Sequence, residues 1–344
     1  MAVSNPLGSQ LPIIQAPMAG SQDSRLALAV CAAGGVGSIP AAMLNAEALA
    51  AELQRMQAAE GPWNVNFFCH QPPVRDEEVE TRWRASLAPY YAEFGLDSAA
   101  IPDGPGRQPF AAELLDVLAD CPPPLVSFHF GLPSAELLAG LKSLGSKVLS
   151  TATTVAEARW LEQQGADLII AQGLEAGGHR GMFLSTDIST QVGTFALLPQ
   201  LVAAVSLPVI AAGGIADPAG VRAAMALGAS AVQVGTAYLL CPEATTSAVH
   251  RAALQASGAE HTALTNLFSG RPARGIVNRL IREQGPMSAL APAFPRAGNA
   301  LVPLRKAAEA AGKGDFSPLW AGQHIPDQAR SAAELTLWLA TGAA

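Results

Sequence analysis

Charge is scarce in this 344-residue chain: only 14% of its residues are Asp, Glu, Lys or Arg, and 21 basic against 28 acidic side chains leave a net charge of −7. No run of Lys and Arg breaks that balance, so a nucleic-acid surface, which needs clustered cations to meet phosphates, is excluded. Paired cysteines are missing as well. Cys31, Cys69, Cys121 and Cys241 stand apart with no C-x-x-C spacing, which argues against a structural zinc site or a disulfide framework and points to four reduced, buried thiols. Every apolar stretch meets Gly, Pro or a charge before it reaches spanning length, so no membrane partner is expected. The opening Met-Ala-Val-Ser-Asn-Pro lacks the basic segment, apolar stretch and cleavage site of a secretory signal, and a cytoplasmic enzyme is the expected setting. Nucleotide fingerprints are absent too. Ala32-Ala-Gly-Gly-Val-Gly37 approaches G-x-G-x-x-G but closes a helix and enters a strand, the wrong context for a dinucleotide, and there is no G-x-x-x-x-G-K-[ST].

What is abundant is apolar material. Half of the residues are hydrophobic, enough for a large core in one big α/β domain or two ordinary ones. Eight short apolar runs read as strands: Pro12–Ala16, Gly35–Ile39, Asn64–Phe68, Leu125–His129, Lys147–Ser150, Leu168–Ala171, Pro208–Ala212 and Ala231–Val234. Between them lie amphipathic stretches at Ser24–Ala33, Ala46–Ala58, Ser134–Leu144, Thr154–Gln164, Phe195–Ala204 and Pro218–Leu227, several opened by a side-chain acceptor or Pro and closed by Gly. Repeated β-α units imply a parallel sheet, and eight of them a closed (β/α)8 barrel of the TIM type. An open doubly wound sheet is the alternative, but it gathers its ligand loops at one switch point, whereas glycine-rich loops here follow several strand ends.

Two segments interrupt the rhythm. Residues 71–124 read as a helical insertion, and 243–323 as a smaller, mostly helical domain, with 324–344 returning to the barrel formed by residues 1–242. Such appendages either line a substrate site or are tolerated surface additions.

The chemistry gathers at strand ends. After the sixth strand the chain runs Ala171-Gln-Gly-Leu-Glu-Ala-Gly-Gly-His-Arg-Gly181, one histidine among glycines that let backbone approach a ligand, so His179 is the candidate reacting residue. Late in the chain, Gly213-Gly214 and Gly235-Thr236 end successive strands. Two such loops in sequence point to a phosphate held by backbone amides, beyond the tight turns that one Gly-Gly pair makes. One phosphate with no dinucleotide fingerprint suits FMN, its ring over the barrel mouth beside Met18, with the amides of Asn66, Gln172 and Gln233 serving ring or ribityl atoms. His129 in Ser127-Phe-His-Phe-Gly131 reads either as a substrate contact or as a satisfied core residue.

Taken together, Pro12-Ile-Ile-Gln-Ala-Pro-Met-Ala-Gly20, Asn64-Val-Asn-Phe-Phe68, Glu175-Ala-Gly-Gly-His-Arg-Gly181, Ala211-Ala-Gly-Gly-Ile215 and Gln233-Val-Gly-Thr236 resemble the nitronate monooxygenase (2-nitropropane dioxygenase) family. Ser269-Gly-Arg-Pro-Ala-Arg-Gly275, Pro303-Leu-Arg305 and Asp315–Gln323 resemble the C-terminal elements of its class I members. The resemblance implies a TIM-type barrel with non-covalent FMN and a helical domain over the site. It also implies oxidation of alkyl nitronates such as propionate 3-nitronate by dioxygen to a carbonyl compound and nitrite; the sequence leaves the assembly open between a monomer and a small homo-oligomer. It places FMN against Met18, Asn66, Gln172, Gly177, Gly214, Gln233, Val234, Gly235 and Thr236, and the catalytic histidine at His179. A substrate carboxylate would want a cation such as Lys306, although a solvated helix residue is the better reading of that lysine from sequence. Phe294 stands where relatives commonly carry a tyrosine. The competing enzyme on the same fold is an FMN-dependent NAD(P)H:quinone or enoyl reductase.

Overall fold

The computed structural model describes residues 5–98, 101, 106–326 and 328–343. Its elements run in chain order as β1 (Ile13–Gln15), α1 (Ser24–Ala32), β2 (Gly37–Pro40), α2 (Ala46–Met56), β3 (Trp63–Phe68), α3 (Glu77–Glu93), α4 (Ala112–Asp120), β4 (Leu125–His129), α5 (Ala135–Ser143), β5 (Lys147–Ala152), α6 (Val155–Gln163) and β6 (Leu168–Gln172). There follow β7 (Gly178–His179), α7 (Thr194–Ala204), β8 (Val209–Ala212), α8 (Pro218–Ala226), β9 (Ala231–Val234), α9 (Ala248–Gln255), β10 (Thr262–Thr265), β11 (Ala273–Ile276), α10 (Arg279–Gln284), α11 (Val302–Ala310) and α12 (Ala332–Ala340).

The helices start where the sequence offers an acceptor. Asp23, Asn45, Ser134, Thr154 and Asp217 each take a first-turn backbone N–H of the helix that follows them, satisfying a donor with no intrahelical partner. Eight parallel strands then pair in the order β1-β9-β8-β6-β5-β4-β3-β2, and a parallel bridge between Ile14 and Val36 completes the ring. All eight expected strands are in it. Their two-residue alternation sorts side chains: Val65 and Phe67 face the helix layer with Leu49, Leu53 and Leu118. Ile14, Val36, Leu125, Leu149, Leu168, Ile170 and Ile210 fill the barrel. Asn64 and Asn66, out of phase with Val65 and Phe67, hydrogen-bond to Ser127 on the neighbouring strand.

The two interruptions resolve differently from the sequence reading. The segment 71–124 divides: α4 joins the barrel's helix layer through Leu118, whereas α3 packs Trp83, Leu87, Tyr90 and Tyr91 against Leu267, Leu280, Leu304 and Phe316 of the C-terminal stretch. Trp83 donates its indole N–H to Ala297 O at 3.0 Å and Tyr91 its hydroxyl to Ala300 O at 2.6 Å. The C-terminal stretch is also less helical than expected, since β10, β11 and β7 make a three-stranded sheet. A two-residue strand such as β7 has no periodicity to read. Helix α12 returns to the barrel, where Leu335 and Leu339 are buried and Thr336 Oγ1 lies 2.8 Å from Tyr238 Oη. Cys31 and Cys241 are buried, but Cys69 and Cys121 are partly exposed, a correction to the expectation of four buried thiols. Among the described residues no helix is long and apolar enough to cross a membrane.

Candidate active site

A cleft of about 1330 Å³, part of it open solvent, lies over the C-terminal ends of the barrel strands. Its shape depends on the loop after β6. Gln172 holds that loop through both amide atoms, donating to His179 O at 2.8 Å and accepting from Gly181 N at 2.8 Å. Arg180, fully buried, clamps it from behind with bonds to Gly173 O, Gln172 O and Gln191 Oε1. Pairing of His179 with Ala273 and of Gly178 with Arg274 then fixes the loop to the C-terminal sheet.

The His179 side chain lines the cleft with its ring among Phe68, Phe130, Phe294 and Trp320, at centroid distances of 5.4–6.1 Å. Its Nε2 lies 2.8 Å from Ser269 Oγ. Burial, then the charges of Arg107 and Arg271 and the neighbouring His129 and His70, hold it well below the usual histidine range, so the imidazole is neutral. His129 also lines the cleft, but protein takes both its nitrogens. Nε2 donates to His179 O at 3.0 Å, and Nδ1 therefore accepts from Thr151 Oγ1 at 3.1 Å. Burial lowers its pKa to about 4. As a substrate contact it offers a ring face rather than a hydrogen bond.

Two cations face this aromatic box. The Arg271 guanidinium sits 4.2 Å from the Phe130 ring centroid and 5.9 Å from that of Phe294, while Arg107 is 5.7 Å from Phe294. Among the described residues neither has a carboxylate within ion-pair distance, and the buried Arg107 Nε has no hydrogen-bond partner. Among the described residues no Asp or Glu lines the cleft. Phe130 adopts a left-handed backbone, φ 71°, a conformation costing on the order of 1–2 kcal/mol for a side chain of its kind. Its ring supports Arg271.

At the opposite end of the cleft, β8 runs into Gly213 and Gly214, whose φ values of 112° and 72° lie in the left-handed region that favours glycine, and β9 into Gly235 and Thr236. Thr236 Oγ1 accepts from Gly322 N at 2.9 Å, which leaves its own proton to donate. His324 reaches Gly214 O at 3.2 Å. Gln233 Oε1, buried, has no partner, and Asn66 uses its amide nitrogen on Ser127, leaving its oxygen without a described partner. A Cβ on Gly177 would stand 2.6 Å from Ala321 C, so the loop and the C-terminal segment meet there only because position 177 is glycine.

Met18, Asn66, His129, Gln172, Gly177, His179, Gly214, Gln233, Gly235 and Thr236 thus line one cavity. Val234 and Lys306 do not. Val234 alternates with Gln233 and points into the helix layer beside Val232 and Tyr238. Lys306 is exposed on α11, whose buried positions are Leu304 and Ala308. The cations near His179 are Arg107 and Arg271, which sequence reasoning missed. Arg271 lies inside the quoted Ser269–Gly275 motif, the one signal that pointed to it, whereas Arg107 has none. Among the described residues no cluster of His, Cys, Asp or Glu could hold a metal.

A family model described as nitronate monooxygenase matches residues 3–341. The chain is 44% identical over 324 residues to a nitronate monooxygenase of Pseudomonas aeruginosa, covering 92% of this chain and 91% of that one. It is 42% identical to one of Paraburkholderia phytofirmans, covering 92% and 87%. Among solved structures, nitroalkane oxidase from Streptomyces ansochromogenes superposes with a TM-score of 0.88 at 42% identity, over 96% of this chain and 95% of that one. FabK from Thermotoga maritima superposes with 0.72 at 27%, over 99% and 94%.

Proposed function

The chain belongs to the nitronate monooxygenase family, and we propose that it oxidises alkyl nitronates, propionate 3-nitronate among them, with dioxygen to a carbonyl compound and nitrite on bound FMN. The observation that carries this reading is a cleft lined by Arg107, with Arg271 on the Phe130 and Phe294 rings beside it; among the described residues neither guanidinium has a carboxylate partner, and burial keeps the neighbouring imidazole neutral. Two half-buried guanidiniums close together without a carboxylate carry a desolvation and repulsion cost that an arriving anion relieves. A nitronate is such an anion.

The residues present fit FMN. Gln233 Oε1 is an unmatched acceptor for a ring N–H, Asn66 offers a second amide oxygen, and the glycine turns after β8 and β9 expose backbone amides for one phosphate, with the Thr236 hydroxyl beside them. Met18 and Gly177 complete the lining. Bound there, FMN would supply the one-electron chemistry linking the nitronate to dioxygen. His179 donates a hydrogen bond to a nitronate oxygen, or takes the carbon-bound proton of a neutral nitroalkane. Arg107 and Arg271 supply the field for the anion. The C-terminal segment covers the substrate, since Ser269, Arg271, Phe294 and Trp320 all come from it. Phe294 brings no hydroxyl, so the two guanidiniums take the polar work a phenol would do.

The aromatic walls would also stack a quinone, which keeps an FMN-dependent NAD(P)H:quinone or enoyl reductase as the second reading. The test is direct. A yellow purified protein that consumes oxygen and releases nitrite with propionate 3-nitronate supports the proposal, and rapid anaerobic bleaching by NADH without response to the nitronate overturns it.

A further inference from the structure

The two tasks assigned to His179 need opposite tautomers. As a base it must present a lone pair to the substrate; as a donor toward an anion it must present an N–H on that same atom. Its Nδ1 makes no hydrogen bond to a described residue and is the nitrogen available to the cleft, while Nε2 is 2.8 Å from Ser269 Oγ. The groups that face the ring are Arg107, Arg271, His129 and His70, none of them able to orient Nε2 as a carboxylate would. Ser269, 1% exposed, is therefore the polar partner that decides the matter.

Its hydroxyl has a choice. Ser269 Oγ also lies 3.3 Å from Arg271 O, an acceptor only. With the single hydroxyl proton turned to Arg271 O, the oxygen accepts from His179 Nε2–H and Nδ1 carries the lone pair. With the proton turned to Nε2, the ring is held as the Nδ1–H tautomer. A serine hydroxyl rotates between two such partners at little cost.

We propose that Ser269 is a positioning residue whose hydroxyl rotation selects the His179 tautomer, letting one histidine serve as base for neutral nitroalkanes and as donor for anionic nitronates. The inference rests on the nitronate reading of the site. In the base setting the substrate C–H bond breaks, its electron pair stays on the nitro-stabilised carbon, and its proton forms the Nδ1–H bond. The resulting imidazolium keeps its Nε2–H and donates it in a hydrogen bond to Ser269 Oγ, and the proton gained on Nδ1 later leaves to solvent. In the donor setting no proton is transferred; Nδ1–H bonds to a nitronate oxygen.

The test uses the flavin-loaded protein with 15N-labelled histidine and nitrate as an unreactive anion. The wild-type His179 ring, identified by its loss in His179→Asn, is expected as Nε2–H without nitrate and as Nδ1–H with it. A ring that keeps one tautomer throughout overturns the inference, whatever the turnover. In kinetics, Ser269→Ala should lower kcat/KM for nitroethane at least tenfold and move the rise of its pH profile to lower pH, because the imidazolium has lost its acceptor. With ethyl nitronate the change should stay within about threefold, and Ser269→Thr, which keeps the hydroxyl, should recover nitroethane activity. Equal losses on both substrates at full flavin content, or none on either, overturn the assignment. A wild-type enzyme that oxidises neither substrate overturns the functional reading instead, while the tautomer change is still decided by the nitrogen spectrum.

Discussion

His129 donates its Nε2–H to the backbone carbonyl of His179, so that one cavity histidine holds the main chain of the other. Because a carbonyl only accepts, this bond fixes His129 as the Nε2–H tautomer and makes Thr151 the donor to Nδ1. Replacing His129 with Ala should therefore displace His179 and not remove a reacting group. The expected result is a fall in kcat of roughly ten- to a hundredfold with flavin retained, read by comparing kcat with flavin absorbance per protein.

His179→Asn separates the two tasks of the ring. General-base catalysis is worth about 10²–10⁴-fold, so oxidation of neutral nitroalkanes should fall by at least a hundredfold. Oxidation of preformed nitronates should fall by less than about tenfold, since an amide N–H still donates. Oxygen consumption with each form of the same compound decides it.

Arg107 tests the anion field. A charge-assisted hydrogen bond is worth about 1.5–3 kcal/mol, so Arg107→Met should raise KM for an anionic nitronate on the order of tenfold or more. The neutral nitroalkane should be much less affected. An equal rise for both would mean that the residue shapes the cleft without meeting the charge.

Gly177 tests the seam between the β6 loop and the C-terminal segment. A Cβ there would meet backbone atoms, Ala321 C and Gly322 N, both at 2.6 Å, and backbone cannot yield as a flexible side chain does. Gly177→Ala should lower Tm and leave the purified protein with less than about half the wild-type flavin content.

Stability should fall in acid. Burial lowers the pKa of His129, His70 and His250 to about 4 and holds His179 below its usual range, whereas all four titrate near 6.5 in the unfolded chain. Between these values the unfolded state binds more protons than the folded one, so stability present above about pH 6.5 is lost as pH drops toward 4. Tm measured from pH 7 to 4.5 should fall progressively, and His129→Gln should flatten part of that slope.

The barrel was legible because each strand is an apolar run bounded by Gly, Pro or a capping residue, and each helix carries its own start signal. The glycine-rich loop and His179 were legible for the same local reason. Alternation alone would have separated Gln233 from Val234, since neighbours on a strand face opposite ways. Helical spacing would likewise have put Lys306 opposite Leu304 and Ala308. Arg107, by contrast, carries no local pattern; it reaches Phe294 because distant segments pack together. The strand Gly178–His179 exists only because Ala273 and Arg274 come to pair with it.

The bonds from Trp83 to Ala297 and from Tyr91 to Ala300 join residues 214 and 209 positions apart. On a ribosome adding about 5–20 residues per second, α3 therefore waits ten seconds or more for its partner. All eight barrel strands emerge by residue 234, whereas the wall carrying Arg271, Phe294 and Trp320 arrives afterwards. During that interval the nascent chain shows an unsealed aromatic face on α3, the kind of surface that chaperones bind. A nascent chain released between residues 234 and 271 would keep the strands of the scaffold and lack all three residues of that wall.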